Sequence, residues 1–133
     1  MATIKSFTSL EQSKKLAEIL PIESADNVIV SIGDREGVKI ITMPKETLNI
    51  LRTPFTDIRN STPCWSLAAL INVLPRSIEF KDDKYYLRFM KDYVEYANDE
   101  ISITGRCLHT TGNNNLVDAC YEMIWKLHEQ KLL

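Results

Sequence analysis

Two helix signals bracket a strand-rich middle, and no other feature narrows the possible folds of this chain so far. One runs from Thr62-Pro63-Cys64-Trp65 to Val73-Leu74-Pro75. Thr62 suits a helix cap, and Pro63 suits the first helical position, where its missing N–H costs nothing. Trp65, Leu67, Leu70, Ile71 and Leu74 leave almost no polar face, and a helix apolar nearly all round belongs in a core. The other signal is the C-terminal run that begins at Asn115. Asn115 can cap it, and Asp118 places a negative charge in the first turn, where the helix dipole favours one. Leu116, Cys120, Met123, Ile124 and Leu127 then form one stripe.

A third helix is announced near the N-terminus. Thr8 with Glu11, or Ser9 with Gln12, fits the capping-box spacing, in which two side chains satisfy orphan N–H groups. Leu10, Leu16, Ala17 and Leu20 fall on one side, and Pro21 ends the element by disfavouring helical geometry at Leu20.

Between the helices the period changes to two. Val28, Val30 and Ile32 alternate, Gly33 to Gly37 is a turn, and Val38 to Met43 returns, which reads as a hairpin. Tyr85, Leu87 and Phe89 alternate with Tyr86, Arg88 and Met90. Tyr93–Ala97 and Glu100–Thr104 read as further strands, with breaks at Asp82-Asp83, Lys91-Asp92 and Asn98-Asp99. Strands this short with breaks this tight predict an antiparallel meander. Residues 44–61 read as a loop-rich connection with a short helical piece at Leu48–Leu51. The expected architecture is one α+β domain over residues 1–133. In it the N-terminal hairpin and the meander are packed by three helices, at about 9–20, 63–74 and 116–131.

Composition removes some functions. The 133 residues are 44% apolar and 26% charged, with a net charge of −2. Nucleic acid is disfavoured as a partner, because counterion release needs clustered positive charge. A membrane is excluded as an expectation, since no apolar run approaches the ~20 residues a span needs. The N-terminus lacks the apolar core of a secretion signal. Three cysteines, an odd number with no CxxC spacing, read as free thiols of a reducing cytoplasm.

No stretch signals chemistry as strongly as the helices signal a core. Cys64 and Cys120 lie on apolar helix faces and read as small core residues. Cys107 and His109 are the one close thiol–imidazole pair. Residues two apart on a strand share a face, so the pair is the candidate for a Cys/His-dependent enzyme or a metal binder. The scattered remaining ligands argue against a structural zinc site. Asp82-Asp83 and Asp99-Glu100 read as turn residues. Tyr86 and Arg88, in a tyrosine-rich strand segment with Lys84 and Lys91 nearby, are candidates for stacking single-stranded bases. Asp82, Asp83, Asp92 and Glu95 dilute that charge. Trp125 lies off the centre of its stripe and is a candidate anchor for a protein partner.

Three stretches carry a family likeness: Thr8 to Glu18, Pro63 to Leu70, and Val117 to Ile124 followed by Lys126-Leu127-His128. They resemble a widespread family of small uncharacterised proteins from gut anaerobic bacteria and their phages and prophages. The resemblance covers about half of the chain, mostly its helices. It implies a bacterial, intracellular protein from a mobile element, and it transfers no activity and no functional residue.

The reading that results is a small non-enzymatic protein-binding module, an adaptor or inhibitor, without a cofactor and with its oligomeric state open. The alternatives are the Cys107/His109 enzyme or metal binder and the single-stranded nucleic-acid binder.

Overall fold

A computed structural model describes residues 5–34, 37–47, 57–98, 106–110 and 115–133. The elements are helix α1 (Leu10–Leu16), strands β1 (Asn27–Asp34), β2 (Gly37–Pro44) and β3 (Asp57–Cys64), and helix α2 (Leu67–Val73). Strands β4 (Ser77–Phe80), β5 (Asp83–Phe89), β6 (Val94–Ala97) and β7 (Arg106–His109) and helix α3 (Leu116–Glu129) follow. Two antiparallel sheets result, ordered β2-β1-β3 and β4-β5-β6-β7. The fold class is α+β, as the periodicities predict. Contacts sort the chain into two units, Phe7–Ala69, and Leu70–Leu133 together with Met1–Ser6. Among the described residues no helix is long and apolar enough to cross a membrane.

In the first unit, Ser9 rather than Thr8 caps α1. Its side chain accepts from the Gln12 N–H (3.1 Å), and the Gln12 amide oxygen accepts from the Ser9 N–H (3.0 Å). The helix stops at Leu16, short of the expected Leu20. The Glu18 and Ile19 N–H groups reach back only three residues, to Lys15 and Leu16, so the last turn tightens to 3₁₀ form. Thr8 is used elsewhere: its N–H donates to the Trp65 carbonyl (2.9 Å), and its hydroxyl accepts from the Trp65 N–H (3.1 Å). Trp65 is wholly buried, and its indole N–H donates to the Ser24 hydroxyl (2.9 Å). That bond satisfies the one polar atom a buried indole carries.

The predicted hairpin forms, with β1 and β2 in unbroken register from Asn27↔Pro44 to Asp34↔Gly37. The middle helix begins later than expected. Thr62 and Pro63 pair with Ile29 and Val28 inside β3, where an edge position tolerates a proline. Ser66 is the cap of α2 instead, accepting from the Ala69 N–H (3.2 Å). Ser66 is itself held by Asp26, through its N–H (2.9 Å) and its hydroxyl. Burial alone would raise the Asp26 carboxyl, but the bonds from Ser66 and Asn27 hold it below its usual range. Residues 45–47 are helical; the helical piece expected at Leu48–Leu51 lies outside the described residues.

In the second unit the meander forms. β4 and β5 turn through Lys81 and Asp82, both at positive φ (52° and 68°), the pattern of a two-residue I′ hairpin. The turn thus lies one residue before the predicted Asp82-Asp83 break. Of the strand expected at Glu100–Thr104 nothing lies within the described residues, and β7 occupies Arg106–His109. Helix α3 lies on β6 and β7. Asn115 caps it, accepting from the Asp118 N–H (2.9 Å), and Lys5 pairs with Asp118 (2.7 Å). Val117, Cys120, Met123, Ile124 and Leu127 are buried, while Leu116 is half-buried. Val117 therefore takes the stripe position expected of Leu116, because 117, 120, 124 and 127 fall on one helix face. The buried Tyr96 donates its hydroxyl to the Pro75 carbonyl (2.7 Å).

Candidate functional site

β5 positions the site. Its residues alternate between two faces, so Lys84, Tyr86 and Arg88 share one face and Tyr85, Leu87 and Phe89 the other. The register then builds a row across three strands. Arg88 stands opposite Glu95, and Glu95 stands opposite His109. Directly opposed side chains have Cβ atoms ~5 Å apart. The sheet therefore lines up a guanidinium, a carboxylate and an imidazole that lie seven and fourteen positions apart in the chain. Tyr93 closes the end of the row, its ring centroid 4.6 Å from that of His109. Lys126 of α3 donates to the His109 carbonyl. Tyr86 flanks the row beside Arg88, with the Lys84 ammonium 5.6 Å from its ring centroid.

Three of the predicted residues, Tyr86, Arg88 and His109, thus come together on one face of the meander. Cys107 has other surroundings. The register shifts between Tyr96 and Ala97, opposite Leu108 and Arg106, so residue 107 sits in a bulge. Its electrostatic neighbours are Lys81 and Tyr85. Burial pushes the Cys107 thiol up, with Lys81 pulling part of the way back, and the protonated thiol is the poorer nucleophile. Among the described residues no group of three His, Cys, Asp or Glu side chains could hold a metal ion. Cys64 and Cys120 are wholly buried, each thiol pushed up to about 12 by burial, with Asp26 adding to the effect at Cys64. Trp125 is half-buried and meets the His128 ring edge-on at 5.6 Å.

Glu95 is the site residue that charge counting misread. Counted there only as an acid that dilutes the positive charge, it is 6% exposed. The signal that marks it is positional, a carboxylate in a short strand between Val94 and Tyr96, both of which are wholly buried.

Beside the row lies a cleft of about 640 Å³. Ile71, Leu74, Arg76, Tyr86, Leu87 and Phe89 contribute to its wall. It opens because β4 is short: pairing ends at Ser77 opposite Tyr86, and β5 runs on. The Leu87 N–H is taken by the Arg76 carbonyl (2.9 Å). In an antiparallel ladder same-side groups recur at every second residue, so the Leu87 C=O and the Phe89 N–H face the cleft side of β5. Tyr86, Phe89 and Ile71 are 50%, 39% and 36% exposed. Met90, also exposed, follows Phe89 in the chain. The large exposed apolar side chains described in this unit gather here, Leu133 apart.

No protein-family model, curated protein or solved structure matches this chain.

Proposed function

We propose that this chain is a non-enzymatic protein-binding module whose cleft beside β5 takes an extended segment of a partner protein. The observation that carries the reading is the gathering of exposed Ile71, Tyr86 and Phe89 around one cleft that also holds Arg76. Exposed apolar side chains scattered singly need no explanation, but a cluster of them at a concavity marks a binding surface. The backbone supports an extended ligand. A segment laid where β4 stops would meet the Leu87 carbonyl and the Phe89 N–H, as in strand addition. Its apolar side chains would fill the cleft, and an acidic residue would meet the Arg76 guanidinium. The family resemblance adds a setting: a bacterial cytoplasmic protein of a mobile element, acting as an adaptor or inhibitor of a host protein.

A displayed random-peptide library, panned against the whole chain, tests the reading. The expected outcome is enrichment of peptides that pair apolar residues with Asp or Glu. Their binding should fall at least tenfold for Phe89→Asp and for Arg76→Glu. Enrichment indifferent to both substitutions, or none at all, would remove the proposal. The tyrosine-rich strand offers the nucleic-acid reading its own check. Retention of single-stranded oligonucleotides at low salt that Arg88→Ala abolishes would favour it over a peptide ligand.

A further inference from the structure

The two edges of the β2-β1-β3 sheet are built differently. β3 is interrupted: its register with β1 shifts between Ile29 and Ser31, Asn60 sits at φ 49°, and Pro63 lacks an N–H. Bulges and prolines are the usual means of blunting an edge. β2 has none of them before its final residue. Its register with β1 is unbroken, and Pro44 is its last position. Its exposed side chains are mostly apolar, with Val38 at 61% and Ile40 at 64%, and Lys39 is its one charged residue. Among the described residues no strand pairs with the outer side of β2, and a long, largely apolar edge invites another strand.

The hydrogen-bond phase of β2 says which strand fits. The Lys45 N–H donates to the Asp26 carbonyl (3.3 Å). Groups facing inward and outward alternate along an antiparallel ladder. Gly37, Lys39, Ile41 and Met43 therefore turn their backbone groups to β1, and Val38, Ile40 and Thr42 turn theirs away. These three outward residues are symmetric about Ile40. We infer that β2 pairs with β2 of a second copy, antiparallel about a two-fold axis at Ile40, joining two three-stranded sheets into one of six strands. In that register Ile40 opposes its own copy and Val38 opposes Thr42. Each of the three opposed pairs exchanges two hydrogen bonds.

Shifting the register by two residues toward Pro44 would set Val38 against a residue with no N–H. Lys39 opposes Ile41 in the favoured register, so no two lysines stand directly opposite. Val38, Ile40 and Thr42 lie on one face, so the two copies share a continuous apolar strip. The interrupted β3 edge does not repeat the arrangement, so assembly closes at two copies rather than growing into a fibre.

The register makes the test specific. Light scattering and sedimentation of the whole chain should show mass rising with concentration to twice that of one chain and no further. Ile40→Lys places two like charges on the axis and should raise the concentration needed at least tenfold. Thermal unfolding of the dilute variant should stay unchanged, because the site is exposed in the single copy. Mild oxidation of Ile40→Cys should cross-link the dimer, since opposed Cα atoms ~5.5 Å apart suit a disulfide. Val38→Cys lies about 14 Å along the strand from its own copy and should cross-link no more than the unsubstituted protein. A chain that stays single at every attainable concentration overturns the inference. So does a dimer indifferent to Ile40→Lys, or equal cross-linking at both cysteines. None of these outcomes touches the β5 cleft, which belongs to the other unit.

Discussion

β2 and β6 reverse what their sequences suggest. β2, Gly37-Val38-Lys39-Ile40-Ile41-Thr42-Met43-Pro44, is the more apolar, yet of its residues only Met43 is buried. β6, Val94-Glu95-Tyr96-Ala97, carries an acid and a phenol, yet all four residues are buried. Position in the sheet accounts for the difference. β6 lies between β5 and β7 and under α3, whereas β2 is an edge. A strand with neighbours on both sides and a helix on one face is shielded far more than an edge strand of similar composition. An edge strand keeps its solvent until another chain removes it. A buried charge and an exposed isoleucine are the two places to look for function, because each departs from the ordinary partition of residues.

A charge placed in the buried and in the edge setting should have unequal effects. Val94→Lys and Leu127→Asp each put a charge where no solvent reaches. Each should cost ~4 kcal/mol or more in urea unfolding. Ile40→Lys should cost the single chain less than ~0.5 kcal/mol. Similar losses at positions 94 and 40 would mean that sheet position does not govern burial here.

Ser66→Ala probes the junction between β3 and α2 and should have a smaller effect. It removes a helix cap and the hydroxyl bond to Asp26 while the backbone N–H bond stays, and ~1–2 kcal/mol is expected at neutral pH. Its pH dependence carries a sign. Asp26 is depressed in the folded chain below the ordinary 3.8. It therefore adds stability that is present above pH 3.8 and is lost as pH falls through its folded value. Without the Ser66 hydroxyl the carboxyl moves up, while the backbone N–H of residue 66 and the Asn27 side chain still act against burial. Acid unfolding of the variant should then show a weaker loss in the window below 3.8. An acid limb identical to that of the unsubstituted protein would contradict the assignment.

The smallest effect separates the thiols by rate alone. Cys64 and Cys120, wholly buried and raised to about 12, should resist a thiol reagent in the folded chain. Cys107 is half-buried and should react first, more slowly than a free thiol. Fast reaction at Cys120 would mean that the α3 face opens.

Much of the fold is legible in the residues because its signals are local. The Ser9/Gln12 capping box, the Asn115 cap and the stripe through Leu127 act within one or two helical turns, and the structure places them where the spacing predicts. The hairpin around Asp34 and Gly37 is local in the same sense. The start of α2 is not. Thr62-Pro63 is a sound helix start by itself, but β1 offers Thr62 and Pro63 strand partners at Ile29 and Val28, and Ser66 with Asp26 supplies a better cap three residues on. A local preference worth about 1 kcal/mol yields to pairing across the chain.

The candidate site shows the same division. Tyr86 and Arg88 are visible as a strand pair, and His109 only as the neighbour of Cys107. Glu95 could not be joined to them, because the row Arg88–Glu95–His109 exists only through the register of three strands. Cys107, two residues from His109, was expected beside it, and a single bulge gave it other neighbours.

By itself, then, the sequence determined most of the element types, the caps of α1 and α3 and much of the core, all of which rest on periodicity and nearest-neighbour hydrogen bonding; strand β3, read as loop and helix start, and the Ser66 cap of α2 it did not. Tertiary structure alone decided which strand became an edge, which carboxylate was buried, and where exposed side chains met at a cleft. Those outcomes depend on sheet order, and sheet order is set by the total burial and pairing of segments far apart in the chain, which no local window contains.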